Sequence, residues 1–470
     1  MKFSAYSTIA DITTSIRSRV LSPVDLVDAT LARITEHEPT LHAFVHLDAD
    51  GARERARVAE AAVLRGDALG PLHGLPVTVK GNLDVAGWPS PAGSLLRKDY
   101  VAEHDAPLVA RLRAAGAIVL GNTNTPEFLM AYESNNLLNG KTSNPWDISR
   151  TAGGSSGGEA AAIASGCSFG GVGSDGGGSI RVPAHFCGIC GLKPTPGRIP
   201  SAGHFPSGAG ALSWLGVVGP MARTIADVRT LFEVIAGPDP GDALSAPVPL
   251  QDAASVAPLK GLRVGLLESS ALGKISPETQ SCVDRAAAML ADQGCAIEPM
   301  KLSGLDRALE VWWFFFGPVV AHLFVPTVTG HEDQLSPILR EYLSYAAPES
   351  PLTLDAFLSA CAQRDDLRAE ILGQLRDVPI LLSPVCSTQA FAHGAGTYRP
   401  GAEQCYRDTM RHSQWLNLAG LPGISVPIGL SAEGLPIGVQ VIGRPYEEEL
   451  VLAVAEEIEQ ARGPWQAPPL

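Results

Sequence analysis

The chain has 470 residues, a net charge of -14 at pH 7, 45% hydrophobic residues and 18% charged residues. These fractions indicate a folded globular protein and exclude a disordered chain. The excess of acidic residues argues against nucleic acid as a main partner, because contacts to phosphates need surplus cations. Eight cysteines scattered along the chain indicate free thiols in a reducing compartment and exclude a disulfide framework.

Neither a signal peptide nor a membrane span is expected. The first 20 residues lack an apolar stretch of the length that a signal peptide needs. The most hydrophobic run, residues 311–326, contains Pro318 and His322 and is shorter than the roughly 20 residues of a transmembrane helix. We therefore expect a cytoplasmic enzyme with no membrane partner.

Helices and strands are predicted to alternate along the first 120 residues. Ser22 followed by Pro23 is typical of a helix start, and apolar residues at 24, 27, 31 and 34 keep one face of that helix. The next predicted elements are a helix at 52–65, a strand at 75–80 that ends at Lys80, a helix at 107–115 and a strand at 117–120. This alternation favours an α/β architecture.

Residues 151–178 contain 11 glycines in 28 positions, although residues 160–164 form a good helix core. Glycines on both sides of a helix indicate backbone held close to another group. The segment 235–395 has weaker patterning and is expected to cover the site. Two strands at 424–428 and 437–442, joined through 431–434, and a helix at 447–460 complete the pattern. No repeat or linker is visible, so a single domain is expected.

Three short motifs match the patterns of other kinds of site, but the residues around each motif do not fit that kind of site. Residues 153–157 satisfy G-x-S-x-G, but the polar segment before them is not the apolar strand that a nucleophile elbow requires. Residues 171–176 satisfy G-x-G-x-x-G, but no acidic residue follows before position 227 for a dinucleotide ribose. Cys187 and Cys190 have C-x-x-C spacing without a second ligand pair, so buried apolar cysteines are favoured. We therefore expect no metal and no cofactor.

The features that the three motifs leave unexplained are Lys80, the run GGSSGG at 153–158 and the run SDGGGSIRVPA at 174–184. With FCGICGLKPT at 186–195 they resemble the amidase signature family, in particular bacterial amidases and fatty acid amide hydrolase and, more distantly, the A subunit of glutamyl-tRNA amidotransferase. The spacings of 75 residues from Lys80 to Ser155 and 24 from Ser155 to Ser179 agree with that family. The resemblance covers positions 74–227 and 417–445, whereas 235–400 resembles no single member closely.

The resemblance implies that Ser179 is the nucleophile, that Ser155 follows a cis peptide and relays the proton, and that Lys80 is the base. This assignment is chemically reasonable because a serine hydroxyl needs an adjacent base to become a good nucleophile. Lysine can accept a proton only when neutral, and burial favours the neutral form. Lys80 ends an apolar strand, where such burial is expected.

Consecutive glycines at 176, 177 and 178 allow backbone N–H groups to converge on an oxyanion. The family more often has a side chain at the position of Gly176. Asp175 and Arg181 are predicted to fix this turn, and Ser156 to cap the helix that starts near Glu159. By the same resemblance, Leu129 and Met130 correspond to acyl-pocket positions of fatty acid amide hydrolase.

The five consecutive residues 312–316 are all aromatic, with two tryptophans followed by three phenylalanines. They form either a core helix or an apolar wall over the substrate. Both alternatives remain open at this point.

The sequence therefore predicts one α/β amidase domain over 1–470, with a mixed central sheet surrounded by helices. It comprises a signature core at about 70–230, a variable segment on the substrate side at about 235–400, and a C-terminal sheet and helix at about 410–462. The predicted reaction is hydrolysis of a small hydrophobic acyl or aryl amide through an acyl-enzyme. The alternatives are a glutaminase-type subunit that supplies ammonia in a tRNA-dependent complex and a non-enzymatic binding protein. A homodimer is left open.

Overall fold

The computed structural model describes residues 3–207, 210–251, 259–268, 272–347 and 351–470. Its helices are α1 (Ile9–Arg17), α2 (Pro23–Leu41), α3 (Ala49–Arg65), α4 (Pro107–Ala114), α5 (Gly157–Ala164), α6 (Arg181–Cys187), α7 (Ile225–Ile235), α8 (Pro277–Asp292), α9 (Leu305–Phe314), α10 (Val320–Val328), α11 (Pro337–Ala346), α12 (Leu354–Gln374), α13 (Tyr406–Thr409), α14 (Arg411–Ala419) and α15 (Glu448–Arg462).

The strands are β1 (Phe44–Leu47), β2 (Pro76–Lys80), β3 (Ile118–Thr123), β4 (Asn135–Asn136), β5 (Gly140–Lys141), β6 (Ser143–Asn144), β7 (Asp147–Thr151), β8 (Gly170–Asp175), β9 (Cys190–Lys193), β10 (Val217–Ala222), β11 (Arg263–Leu267), β12 (Ala296–Met300), β13 (Ile380–Pro384), β14 (Gly423–Leu430) and β15 (Pro436–Gly443). Eleven of them form one sheet in the order β1-β3-β2-β8-β10-β9-β14-β15-β13-β11-β12. Helices flank this sheet, so the predicted single α/β domain with a mixed central sheet is confirmed.

Parallel and antiparallel pairs alternate in blocks across the sheet. β2 pairs in parallel with both β3 and β8, whereas β10 pairs antiparallel with β8 and β9. β14 and β15 form an antiparallel hairpin that joins the β9 side to β13. The strands at the centre are buried on both faces, as expected for a sheet covered by helices on both sides.

Local sequence signals set the N-terminal helices. The Ser22 hydroxyl accepts hydrogen bonds from the backbone N–H groups of Val24 and Asp25, so α2 starts at Pro23 as predicted. α3 begins at Ala49, three residues before the predicted start, because Asp48 caps it through the N–H of Gly51. The strand that carries Lys80 and the two C-terminal strands lie where the sequence predicts them.

The segment 235–400 is more than a cover over the site, which corrects the prediction. β11, β12 and β13 extend the central sheet, and β13 pairs antiparallel with β15. These strands are short, and helices of 16 and 21 residues interrupt them in the chain. Their alternation was therefore hard to recognise from the sequence.

The prediction that the apolar run at 311–326 is too short to span a membrane was wrong about its length. α9 and α10 join through a π-helical turn at Phe315–Val319, which accommodates Pro318 inside one helical segment. The segment Leu305–Val328 has 24 residues, and its most apolar window of 18 residues has a mean hydropathy of 1.6, sufficient by length and composition to cross a membrane. However, 56% of its most apolar window is buried within the protein.

Candidate active site

Three side chains meet at one edge of the sheet. Lys80 ends β2, and the parallel neighbour β8 ends beside it at Ser174 and Asp175. The Lys80 Nζ atom donates to Ser155 Oγ at 2.7 Å and to Ser174 Oγ at 2.9 Å. The Lys80 side chain is 0% exposed and Ser155 is 1% exposed. The structure therefore brings together two of the three predicted catalytic residues and adds Ser174, which the sequence did not single out.

The glycine-rich segment brings Ser155 to this point. The Gly154–Ser155 peptide is cis, as the family resemblance implied. At Gly158 a Cβ atom would lie 2.3 Å from the backbone nitrogen of Asn124, so no other residue fits there. Ser156 is at the N-cap position of α5 but makes no capping bond, which corrects the prediction. Its hydroxyl instead bonds with the backbone of Ser174.

Ser179 lies in the same cleft as Ser155 and is half-buried. Its carbonyl accepts a hydrogen bond of 3.1 Å from the Ser156 N–H, which fixes its backbone. Among the described residues, the Ser179 hydroxyl has no hydrogen-bond partner. The structure therefore shows no hydrogen bond between the Ser155 and Ser179 hydroxyls, which is the link that the predicted relay requires.

The backbone before Ser179 is oriented by side chains that bond its carbonyl groups. Trp312 Nε1 donates to the Gly176 carbonyl at 2.9 Å, and the Tyr132 hydroxyl donates to the Gly177 carbonyl at 2.7 Å. Because N–H and C=O point in opposite directions across a trans peptide, Trp312 directs the Gly177 N–H away from itself. Within the described part of the chain, the N–H groups of Gly177 and Ser179 have no partner, so both can donate to an oxyanion.

Gly178 does not serve as predicted. Its N–H donates to Asp175 Oδ1 at 2.7 Å and is therefore committed to the turn. Gly178 also has a φ of +123°, which a residue with a side chain rarely adopts. Its role in the turn is conformational, so of the oxyanion donors predicted at Gly176, Gly177 and Gly178, the Gly178 N–H is excluded.

Asp175 and Arg181 form a fully buried ion pair at 3.0 Å. Asn417 donates to Asp175 Oδ1 at 3.0 Å and accepts from Arg181 at 2.7 Å, which joins α14 to the turn. Burial alone would raise the pKa of Asp175, but the Arg181 guanidinium holds that pKa well below its usual range. Asp175 therefore stays ionised, and the predicted scaffold role of this pair agrees with its contacts.

Burial dominates the electrostatics of the base. Removal from water lowers the pKa of Lys80 well below its ordinary value of 10.5, and the negative charges of Asp175 and Glu159 oppose that shift. The neutral amine that a lysine base requires is thus the form that burial favours.

A cleft opens beside Ser179, with about 560 Å³ of empty space when the part open to solvent is included. Leu129 and Met130 line it, as predicted, together with Phe316 and Val320. The remaining lining residues are Ser155, Ser174, Asp175, Gly176, Ser179, His204, Pro206, Ser207, Leu212, Leu215, Gly216 and Val217. Of the five aromatic residues at 312–316, Phe316 belongs to this wall, whereas Trp312 and Phe315 are core residues. The run therefore contributes core residues and one residue of the cleft wall.

Two titratable side chains line the described part of the cleft. Asp175 is paired with Arg181, whereas His204 has no ion-pair partner among the described residues. Its Nδ1 lies 2.7 Å from the Pro206 carbonyl, which can only accept, so the proton is on Nδ1. Burial lowers the pKa of His204 to about 4, and the imidazole is neutral at neutral pH.

No group of three or more His, Cys, Asp or Glu side chains among the described residues has the arrangement of a metal site. Cys187 and Cys190 are both buried, as predicted, and burial raises the pKa of each thiol. Their sulfur atoms contact the carbonyls of Ala152 and Arg223.

The family model for amidases matches residues 25–452. The chain belongs to the amidase signature family. It is an amide hydrolase by that membership. The segment that resembled no single member at the level of motifs lies inside this match.

Relatives of known name cover almost the whole amidase. The A subunit of the glutamyl-tRNA(Gln) amidotransferase of Roseiflexus sp. (strain RS-1) is 37% identical over an alignment of 474 positions that covers 96% of this chain and 95% of the relative. Its counterpart from Synechococcus sp. (strain CC9605) is 37% identical over an alignment of 471 positions that covers 95% of this chain and 94% of the relative. From the motifs alone, these proteins were expected to be more distant relatives than other members of the family.

Solved structures show the same fold. A 6-aminohexanoate cyclic dimer hydrolase complexed with substrate superimposes with a TM-score of 0.88 at 28% identity and covers 99% of each chain. A bacterial aryl acylamidase of the amidase signature family gives a TM-score of 0.86 at 26% identity, over 97% of this chain and 96% of that chain. Fatty acid amide hydrolase, at 24% identity and a TM-score of 0.88, shares the fold over 98% of this chain and 86% of its own.

Proposed function

We propose that this amidase hydrolyses a small hydrophobic acyl or aryl amide, with Ser179 as nucleophile, Ser155 as proton relay and Lys80 as base. Ser179 Oγ attacks the amide carbonyl carbon and passes its proton to Ser155, whose own proton moves to Lys80 Nζ. The C–N bond then breaks as the proton returns through Ser155 to the leaving nitrogen. Water attacks the ester by the same relay and releases the acid.

The contact between Lys80 and Ser155 carries this proposal. A fully buried lysine whose amine lies 2.7 Å from a buried hydroxyl is costly to keep charged, and once neutral it can accept the proton of that hydroxyl. The free N–H groups of Gly177 and Ser179 support the same reaction because they can stabilise the tetrahedral oxyanion. Removing one such donor typically costs ~3–4 kcal/mol of transition-state stabilisation.

The lining of the cleft supports an uncharged, apolar substrate. Leu129, Met130, Phe316 and Val320 surround the nucleophile, and none of the described lining residues is Lys or Arg. A free amino acid such as glutamine brings a carboxylate that a buried site has to pair with a cation. Asp175 could not pair with its ammonium group, because Arg181 already neutralises Asp175.

The second candidate is a glutaminase-type subunit that supplies ammonia in a tRNA-dependent complex. The names of the curated relatives at 37% identity favour it. That function needs glutamine as substrate and partner subunits, whereas the first needs neither. The two candidates therefore differ in what the isolated chain hydrolyses.

A panel of amides offered to the purified chain separates these functions. We expect release of aniline from acetanilide and longer acyl anilides, no turnover of L-glutamine, and loss of all activity in Ser179→Ala. Turnover of glutamine alone, or only after addition of partner subunits, would establish the second candidate. A chain without activity that also resists fluorophosphonates would support a non-enzymatic protein.

A further inference from the structure

Glu159 is a fully buried carboxyl group next to the proton relay. It lies in the first turn of α5, four residues after Ser155, and is 0% exposed. Oε2 accepts from the Thr123 hydroxyl at 2.8 Å, and Oε1 contacts the Thr78 hydroxyl. Thr123 is the register partner of Lys80 on β3. Glu159 therefore connects the strand of the base to the helix that follows the relay serine.

Both contacts of this carboxyl group are with neutral hydroxyls, which distinguishes it from the other acid near the base. Asp175 is neutralised by Arg181, and Lys193 adds further positive charge near it. Glu159 has no cation within salt-bridge distance among the described residues, and the positive charge that acts on it is that of Lys80. A charge on Glu159 is therefore compensated only when Lys80 is protonated.

The hydrogen bonds around Thr78 suit a carboxyl group that changes its protonation state. Thr78 Oγ1 also lies 3.0 Å from Ser168 Oγ, and the Ser168 hydroxyl donates to the Gly170 carbonyl at 2.8 Å. One hydroxyl has a single proton to donate. Thr78 can thus donate to an ionised Glu159, or accept from a protonated Glu159 and donate to Ser168. Neither state leaves a buried oxygen without a partner.

We propose that Glu159 is a positioning residue for the base, whose negative charge stabilises the cation formed on Lys80 when the relay proton arrives. This inference rests on the proposed function. The other charged or titratable groups around Lys80 are Asp175 on β8, with its partner Arg181, and His204 in the cleft. Burial raises the pKa of Glu159 to about 7, against the effect of both threonine hydroxyls and Lys80.

The rate of fluorophosphonate labelling of Ser179 against pH tests this role without knowledge of the natural substrate. In the wild type the rate should rise with pH as Lys80 loses its proton. Glu159→Gln keeps the size of the side chain and removes the charge, so protonated Lys80 loses a stabilising partner. We expect the midpoint of the rise to move down by about half a pH unit or more. The plateau rate should fall about tenfold, because a weaker base accepts the proton less readily.

Glu38→Gln is the matched control. Glu38 is a mostly buried carboxyl group on α2 whose pKa burial raises to about 7, and it accepts from the N–H groups of Ala43 and Phe44 at 3.0 Å each. Its substitution should leave the labelling midpoint unchanged. Thr123→Val provides a second test if Glu159→Gln fails to fold. It keeps the carboxyl group, removes a hydrogen bond that favours its charged form, and should shift the midpoint in the same direction by less.

The outcomes separate this inference from the proposed function. A lower rate with an unchanged midpoint in both Glu159→Gln and Thr123→Val would show a purely structural role and overturn the inference. A wild type that the reagent does not modify at Ser179 would overturn the proposed function itself. Labelling at Ser179 with a midpoint that moves in the Glu159 and Thr123 variants and stays in Glu38→Gln supports both.

Discussion

The Lys80 amine lies 2.7 Å from the Ser155 hydroxyl, and neither side chain is accessible to water. A charged ammonium group there would be separated from solvent, with Asp175 and Glu159 as the nearest negative charges. The pair is therefore placed to exchange a proton in the reaction that we propose for Ser179.

Lys80 should determine the pH dependence of the reaction. Burial moves its pKa below 10.5, so kcat/KM should rise as pH increases through that lowered pKa. Lys80→Ala should lower the rate and remove this rise, and Lys80→Arg should not restore activity because a guanidinium stays protonated. Profiles measured with a substrate that has no titrating group check this. His204→Gln should keep the rise, because the pKa of His204 is about 4.

Trp312 should act on turnover through the Gly176 carbonyl. Trp312→Phe removes the Nε1 hydrogen bond but keeps a ring against Phe316, on which Trp312 stacks at a centroid distance of 4.6 Å. We expect kcat to fall about tenfold with little change in KM, since the oxyanion donors are less well oriented. Trp313→Phe is the control, because no hydrogen bond joins it to the turn. Equal effects of the two variants would contradict this role.

The buried pair of Asp175 and Arg181 should contribute strongly to stability. Arg181→Met leaves a buried carboxylate unpaired and should lower the free energy of unfolding by about 3–5 kcal/mol. Arg53→Met breaks a solvent-exposed pair with Asp28 and should have a much smaller effect, because water and salt screen that pair. Denaturant titrations of both variants measure the difference.

The same pair gives this stability a defined pH dependence. The pKa of Asp175 is held below its ordinary value of 3.8 in the folded protein. Its contribution is therefore present above about pH 4 and is lost as pH falls through the lowered folded pKa. The difference in the free energy of unfolding between wild type and Arg181→Met should therefore shrink as pH falls below about 4. A difference that stays constant with pH would show that the charge of Asp175 is not responsible.

Substrate length should control catalytic efficiency. Each methylene buried in the cleft contributes ~0.8 kcal/mol, so kcat/KM for a series of acyl anilides should rise about fourfold per methylene until the cleft is full. Phe316→Ser should flatten this series. Leu323→Ser, on the exposed face of the same helical segment at 52% exposure, should leave it unchanged. Short polar amides as the best substrates would exclude the apolar wall.

The sheet core could be predicted from local patterns, and the proximity of Lys80 and Ser155 could be predicted from the family resemblance. Proline and serine signals fixed α2, an apolar run fixed β2, and the spacing of Lys80, Ser155 and Ser179 matched one family. The strands at β11–β13 were missed because long helices separate them in the chain. The continuous helical segment at 305–328 was missed because a π-helical turn accommodates Pro318 without ending the helix.

The other features that could not be predicted from the sequence depend on side-chain contacts between distant elements. Nothing in the glycine run shows that Asp175 binds the Gly178 N–H, or that Trp312, 136 residues later, orients Gly176. Ser174 and Glu159 did leave a signal in the sequence. Ser174 precedes Asp175 at the end of the strand beside β2, and Glu159 is an acidic residue inside an otherwise apolar helix.

Identification of the modified residue tests the central claim most directly. The purified protein is treated with a fluorophosphonate, digested, and its adduct is located by peptide mass spectrometry, with Ser179→Ala and Ser155→Ala as controls. We predict one adduct on Ser179, none in Ser179→Ala, and much slower labelling at Ser179 in Ser155→Ala. An adduct on Ser155 in the wild type would contradict the account, because Ser155 would then be the nucleophile of an elbow and Lys80 its direct base.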